Sequence, residues 1–576
     1  MVDLKAKPFY LNDKKIKWVE DTIASMTLEE KIGQLFIVLN WGGQKDNIKK
    51  LVEGCHPSGL RWQGANLEQV WEQNRYIQEI SKIPVLIAAN ALNGGDGAVK
   101  EGTTVATPAS CGASPTLETA YRAGKVAAKE AKAVGCTWTF APCTDVLLNW
   151  RNTIVNDRAY GRDVDKIIAC SKKYIKAMHE EGIATCAKHF PGDGTEERDQ
   201  HLVMGCNDLS EEEWENTFGK VYREVIDADC ESFMIGHICC PSMQRKFNPS
   251  LKDEDIKPAT MSKELLTDLL RGELGFNGLI TTDASHMAGL STAAPRNVQV
   301  PTCIAAGCDM FLYFNDPDED FKYMMDGYKS GLITEERLSD ALHRILGLKA
   351  KVGLDEFTID KFPPKEGLSI VGCEEHKKEA AKCADEVITL VKDTQHALPW
   401  DVSKKKRAIL YYVQSEPVLL KNGPDKYRQV VVEELERAGF EVEVHKDFYD
   451  YCMEGHPQPD QAIMDTGNVE GFKEKYDVVF MFIHTKGYAK ENVNRVVWSA
   501  SHSSELPWYI HEVPTIGISL NYTNSLYDVP MLKTFINAYA PTREYVRAAI
   551  EKICGKSEFT GSYDENVWCG RWDTKL

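Results

Sequence analysis

No run of about 18 consecutive apolar residues occurs in the 576-residue chain, so no membrane-spanning helix is expected. The opening stretch, MVDLKAKPFYLNDKK, lacks the apolar core of a secretory leader. Positive charge is in deficit: 68 Lys and Arg against 86 Asp and Glu leave a formal net charge of −18. That argues against a nucleic-acid or anionic-membrane partner, because phosphate recognition needs a basic surface. Seventeen cysteines are present, but without paired, regular spacing, which fits free thiols in a reducing cytosol better than a disulfide framework. There is no HExxH helical pair, no Cys-X2-Cys, no GxGxxG or Walker loop, and no repeat or low-complexity tract. No metal, cofactor or nucleotide is therefore expected. The partner class that remains is a small, neutral molecule, and a homo-oligomer stays open.

What is present is a globular composition, 43% hydrophobic, long enough for two or three domains. Eight short apolar runs, at 34–38, 58–62, 84–89, 137–142, 183–188, 232–237, 279–283 and 309–313, alternate with amphipathic stretches such as 117–134, 164–181, 210–227 and 262–274. Parallel strands joined by crossover helices give this pattern, and eight units in about 350 residues predict a (β/α)8 barrel over 1–362. After the Pro363-Pro364 pair, a helix at 374–386 precedes apolar runs at 388–391, 408–413, 442–445, 478–484 and 515–520. Helical patterns at 427–438 and 542–553 interleave them, predicting a three-layer α/β/α sandwich with a mostly parallel sheet over 363–576.

Residues 188–201 read KHFPGDGTEERDQH, directly after a buried-strand pattern and broken by Pro191, Gly192 and Gly194. Asp199 and His201 are two apart, so in an extended segment both side chains leave on one side and the carboxylate can fix the imidazole tautomer. Taken alone, such a pair is more often a solvated surface pair. The His and carboxylates of this stretch could also suggest a metal cluster, which the missing helical or Cys-rich ligand spacing disfavours. Lys188, His189, His237 and Asp283 all fall where predicted strands end, the rim on which barrels build their sites. Each has an ordinary alternative: His237 as a satisfied core histidine, Asp283 as a helix cap.

The run KHFPG-X-G-X4-D-X-H resembles the signature of bacterial β-N-acetylglucosaminidases of glycoside hydrolase family 3. The segment 272–287 (GELGFNGLITTDASHM) resembles that family's nucleophile strand. Further similar segments, in the family's order, are 26–34 (MTLEEKIGQ), 140–145 (FAPCTD), 156–163 (NDRAYGRD) and 233–241 (FMIGHICCP). The resemblance implies a retaining, exo-acting hydrolase that releases terminal β-linked N-acetylglucosamine from small oligosaccharides or cell-wall fragments in the cytoplasm. It implies Asp283 as nucleophile, His201 with Asp199 as acid/base dyad, and Lys188, His189 and Arg158 as donors to hydroxyls of the terminal sugar; Asn90, without charge assistance, and His237, on the rim, are further candidate binding residues, and Asp145 is a candidate either for binding or for orienting Arg158 or the loop. An ordinary ion pair of Lys188 or Arg158 with Asp145 or Asp163 is the alternative for the binding role.

The chain also departs from the family pattern. Asn90-Ala-Leu-Asn-Gly-Gly stands where an Asp shortly followed by Glu-Gly-Gly is common, Asp193 and Gln200 are unusual in the loop, and Ala284 follows the nucleophile position where a second acid is common. These differences keep three alternatives open: a β-glucosidase or β-xylosidase, an N-acetylglucosaminide phosphorylase, and a carbohydrate-binding protein without turnover.

Overall fold

The computed structural model describes residues 2–40, 45–62, 65–414, 425–464, 468–485, 489, 491–499 and 506–576. They form two compact units. The first comprises Met1–Pro108, Ala120–Leu148 and Arg158–Lys377; the second comprises Ala109–Thr119, Asn149–Asp157 and Lys378–Leu576. The boundary expected at 362/363 and this one at 377/378 differ because helix Glu374–Val387 runs across the change of unit. Segments 109–119 and 149–157 interrupt the sequence of the first unit yet pack in the second, which no local pattern announces.

The first unit is the (β/α)8 barrel. Its strands are β1 (Phe36–Asn40), β2 (Gly59–Trp62), β3 (Leu86–Ala89), β4 (Trp138–Thr139), β5 (Cys186–Phe190), β6 (Ser232–Ile235), β7 (Leu279–Ala284) and β8 (Met310–Leu312). They pair in parallel in the order β4-β3-β2-β1-β8-β7-β6-β5. Parallel bridges Trp138↔Ala184 and Cys143↔Lys188 close the ring, supported by Thr139 N donating to Ala184 O (2.9 Å) and Cys186 N to Ala141 O (2.8 Å). Strands covered on both faces read as continuous apolar runs, and β3 (LIAA), β5 and β6 are buried at every position. All eight expected runs contain a strand, displaced by up to three residues at their starts. Helix Val164–His179 begins on its Asp163 cap, whose carboxylate accepts from Asp165 N and Lys166 N. The segment expected as one helix over 210–227 starts on a Ser210–Glu213 capping box and is interrupted by a wider i→i+5 turn at Glu215–Gly219.

The second unit holds a six-stranded sheet: β9 (Thr389–Asp393), β10 (Arg407–Gln414), β11 (Glu441–Val444), β12 (Val478–His484), β13 (Thr515–Ser519) and β14 (Thr534–Asn537), in the order β9-β14-β13-β12-β10-β11. Only the β9–β14 pair is antiparallel. Alternation divides two cores between the faces. Leu410, Tyr412, Phe480 and Phe482 pack with Val431, Leu435, Tyr545 and Ile550, while Ile409, Tyr411, Val413, Val479, Met481 and Ile483 pack with Phe472 and Tyr509. This is the expected α/β/α sandwich. Strand β14 is an addition to the expected set: its four residues, TFIN, are too short to stand out as a run, and two flanking strands define it.

Candidate active site

The site grows from the end of β5. Phe190 anchors that end among the rings of Trp214, Tyr222 and Phe233. The chain then turns through Gly192 (φ 119°) and Gly194 (φ 107°), where a Cβ would lie 2.2 Å from the Phe218 ring and 2.3 Å from Val146 O. The turn brings the backbone of 189–193 onto Asp145. This buried carboxylate accepts from His189 N (3.0 Å), Asp193 N (2.8 Å), His189 Nδ1 (2.7 Å) and the Cys143 thiol (3.0 Å). With four donors on it, Asp145 orients His189 and the loop, the positioning role that the sequence left open beside a sugar contact. Asp163, the other expected ion-pair partner, is the helix cap.

With the His189 Nδ1 proton on Asp145, Nε2 carries the lone pair and points to Asp283, 3.8 Å from Oδ2. Burial lowers the His189 pKa, with Asp145 opposing, so the ring serves as a neutral acceptor near pH 7. Lys188 is 2% exposed, and its Nζ donates to Asn90 Oδ1 at 3.4 Å. Burial and the Arg158 guanidinium lower the Lys188 pKa to about 7, whereas Asp283 favours its charged form. Arg158, half-buried, acts electrostatically on both Lys188 and His189.

Asp283 is the penultimate residue of β7, its side chain 15% exposed, with Oδ1 accepting from Ala284 N at 2.7 Å. Burial opposes its ionisation, but in the acid range where the carboxyl titrates the neighbouring imidazoles, His189 first and then His237, are cationic, outweigh burial and hold it down at about 2. His237 differs from expectation. Its Nε2 donates to Ala284 O (3.0 Å), so its Nδ1 accepts from Thr260 Oγ1 (3.1 Å). Both nitrogens are therefore occupied, and burial pulls the pKa to about 4. His237 buttresses the end of β7, and neither nitrogen is left for a sugar hydroxyl.

Asp199 and His201 form the pair their spacing predicts. Asp199 Oδ1, fully buried, accepts from His201 N (2.8 Å) and Nδ1 (2.7 Å), while the His201 side chain remains 22% exposed. The loop is fastened beside Asp283: Ala288 N donates to His201 O (3.0 Å) and Gly289 N to Gln200 O (3.1 Å). Between the dyad residues, buried Gln200 points the other way, donating Nε2 to Asp193 Oδ2 (3.1 Å) and accepting from His237 N (2.8 Å). The two unusual residues of the loop thus hold each other. Arg61 and Tyr313 were missed from sequence: Arg61 Nη1 reaches Tyr313 Oη at 3.5 Å, and Asp283 acts electrostatically on the phenol. An arginine inside the apolar run of β2 was the available signal.

The metal alternative can be tested on the donors. Cys143, Asp145 and His189 place one potential ligand atom each within 4.8 Å of one another. The thiol already donates to Asp145, and burial first, then Asp145, push its pKa far up, so a metal would have to displace a proton this environment retains. The arrangement around Asp283 has different capabilities: an ionised carboxylate, a neutral acceptor, a buried amine and a half-buried guanidinium as donors, and an imidazole whose second nitrogen can carry a proton.

Residues 27–348 match the model of the glycosyl hydrolase family 3 N-terminal domain. A β-N-acetylglucosaminidase/β-glucosidase of Cellulomonas fimi is 36% identical over the whole of both chains. A β-hexosaminidase of Chromobacterium violaceum is 33% identical over 35% of this chain and 54% of its own. Among solved structures, a β-glucoside phosphorylase superimposes with a TM-score of 0.90 at 37% identity, covering 99% of each chain. A family 3 β-N-acetylglucosaminidase from a Paenibacillus species has the same fold, with a TM-score of 0.77 at 22% identity over 93% of this chain and 98% of its own. Across its full length, and with the barrel carrying the matched motifs, this chain belongs to glycoside hydrolase family 3.

Proposed function

We propose that the protein is a retaining, exo-acting enzyme that cleaves a terminal β-linked N-acetylglucosamine from small oligosaccharides or cell-wall fragments in the cytosol. Asp283 attacks the anomeric carbon and forms a covalent glycosyl-enzyme through an oxocarbenium-like transition state. His201 Nε2–H gives its proton to the leaving oxygen and later removes one from the incoming nucleophile, while Asp199 holds Nδ1–H and stabilises the imidazolium. Lys188, His189, Arg158 and Asn90 bind hydroxyls of the terminal sugar, Lys188 and Arg158 as charged donors. The observation that carries the reading is Asp283 at the end of β7, with His189 Nε2 3.8 Å from its Oδ2 and the Asp199–His201 loop tied beside it through Ala288 N to His201 O (3.0 Å). Seventeen unbridged cysteines suit the cytosolic setting.

A second reading, phosphorolysis, draws on the 37% identity to a β-glucoside phosphorylase and on the chemistry of the dyad. A neutral imidazole repels an incoming phosphate less than a carboxylate in its place would. Mass spectrometry after trapping with a 5-fluoro or 2-deoxy-2-fluoro glycoside tests the shared first step; a label on any residue but Asp283 removes the assignment. Nitrophenyl glycosides with and without the 2-acetamido group then separate glucosaminide from glucoside preference. Products formed with and without phosphate separate free sugar from the β-sugar 1-phosphate that retention requires. A carbohydrate-binding protein without turnover would release no sugar in any of these assays.

A further inference from the structure

The loop that carries Asp199 and His201 closes on one cysteine. Thr195 Oγ1 donates to Cys206 O at 3.0 Å, and Cys206 N donates to Glu196 Oε1, so the excursion from 196 to 206 is pinched at its base. Gly205–Cys206 then pairs in parallel with Ile238–Cys239, just after His237, through Gly205 N to His237 O (3.0 Å) and Asn207 N to Cys239 O (2.8 Å). In that register Cys206 faces Cys239 directly, so the two side chains leave the paired segments on the same side. Directly paired residues on neighbouring strands are about 4.8 Å apart, inside the window of Cα separations that a disulfide spans.

We propose that Cys206 and Cys239 are a thiol–disulfide exchange site for low-molecular-weight disulfides, and that their bond locks the base of the dyad loop to the segment following β6. Cys206 is half-buried and takes the first step, while Cys239, 4% exposed, resolves it. The adjacent Cys239 thiol lowers the Cys206 pKa, with burial, Glu196 and Asp208 opposing and Arg198 assisting, while Cys206 and burial together drive the Cys239 pKa up. The Cys206 thiolate attacks one sulfur of the small disulfide and expels a thiolate. Cys239 loses its proton and attacks the Cys206 sulfur, expelling the second thiolate. One S–S bond is consumed and one formed, and two small thiols leave.

Native full-length protein incubated with glutathione disulfide, acid-quenched, alkylated and digested should yield a peptide pair joined through Cys206 and Cys239, two hydrogens lighter than the reduced pair and restored by dithiothreitol. Cys239→Ser should stop at a glutathione adduct on Cys206, and Cys206→Ala should give neither product. A bond to any other cysteine, or a wild-type adduct that never resolves, overturns the site. The wild-type arm decides this whether or not a variant folds. Oxidation should lower kcat on a nitrophenyl β-glycoside about tenfold or more in the wild type and leave Cys206→Ala unaffected. This arm rests on the proposed role of His201. Full turnover with the bond formed overturns control of the loop, whereas failure of the His201 role would appear separately, as His201→Ala retaining activity while the bond still forms.

Discussion

The barrel rim holds two Asp–His pairs with the same 2.7 Å contact between Nδ1 and a carboxylate oxygen, Asp145–His189 and Asp199–His201. Their surroundings differ. Asp145–His189 is closed in from all sides: its carboxylate takes four donors, and burial keeps the imidazole neutral. Asp199–His201 sits on a loop with the ring 22% exposed. The same pair of side chains is thus a fixed acceptor in one place and suited to proton transfer in the other, because solvent access decides whether an imidazolium is tolerable.

Separating the two pairs should begin with the largest expected effect. His201→Ala should lower kcat/KM by about 100- to 10,000-fold on substrates with poor leaving groups, and much less with activated aryl leaving groups. Stability should fall by about 1–3 kcal/mol, because the buried Asp199 carboxylate keeps the His201 backbone donor but loses the ring. Equal losses with both substrates would break the assignment of proton transfer to the exposed pair. Asp145→Ala should do the converse, destabilising the fold by roughly 3–5 kcal/mol in denaturant titration, because it leaves a buried imidazole, two N–H groups and a thiol without their acceptor. A near-neutral result would mean the buried pair is not the anchor its hydrogen bonds indicate.

A smaller effect is expected at the join between the pairs. Gln200→Ala should cost about 1–3 kcal/mol, because Asp193 Oδ2 loses the amide donor and His237 N its acceptor. It should lower kcat for poor leaving groups more than it changes KM; a loss confined to KM would remove Gln200 as a positioning residue for the dyad. The last effect is read as a slope against pH. The Lys188 pKa is lowered from 10.5 to about 7 in the folded protein, so between these values the unfolded chain binds the extra proton and stability rises with pH. Lys188→Met should flatten that slope in melts between pH 7 and 10, and an unchanged slope would show that Lys188 keeps its proton.

Local sequence carried much of this. The two-residue spacing of Asp199 and His201 gives a hydrogen-bonded pair because the carboxylate reaches backbone and ring of the same neighbour, a contact internal to three residues. The polar residues closing otherwise apolar runs located Lys188, His189 and Asp283 on the rim. Contacts that join distant segments were illegible. Asp145 turned out to serve His189, His237 was saturated by Thr260 and Ala284, and Gln200 met Asp193 and His237. Except for Asp193, which shares the loop of Gln200, each partner lies far along the chain, brought near only when the ring of strands closes.

By itself the sequence determined the barrel, the sandwich and the rim on which chemistry is built, because hydrophobic periodicity and glycine or proline breaks act within a few residues. Only the tertiary structure decided which imidazole is sealed and which is open, which carboxylate is held ionised, and which unit claims segments 109–119 and 149–157. Burial and electrostatic neighbourhood are properties of packed space, and residues far apart in the chain supply them.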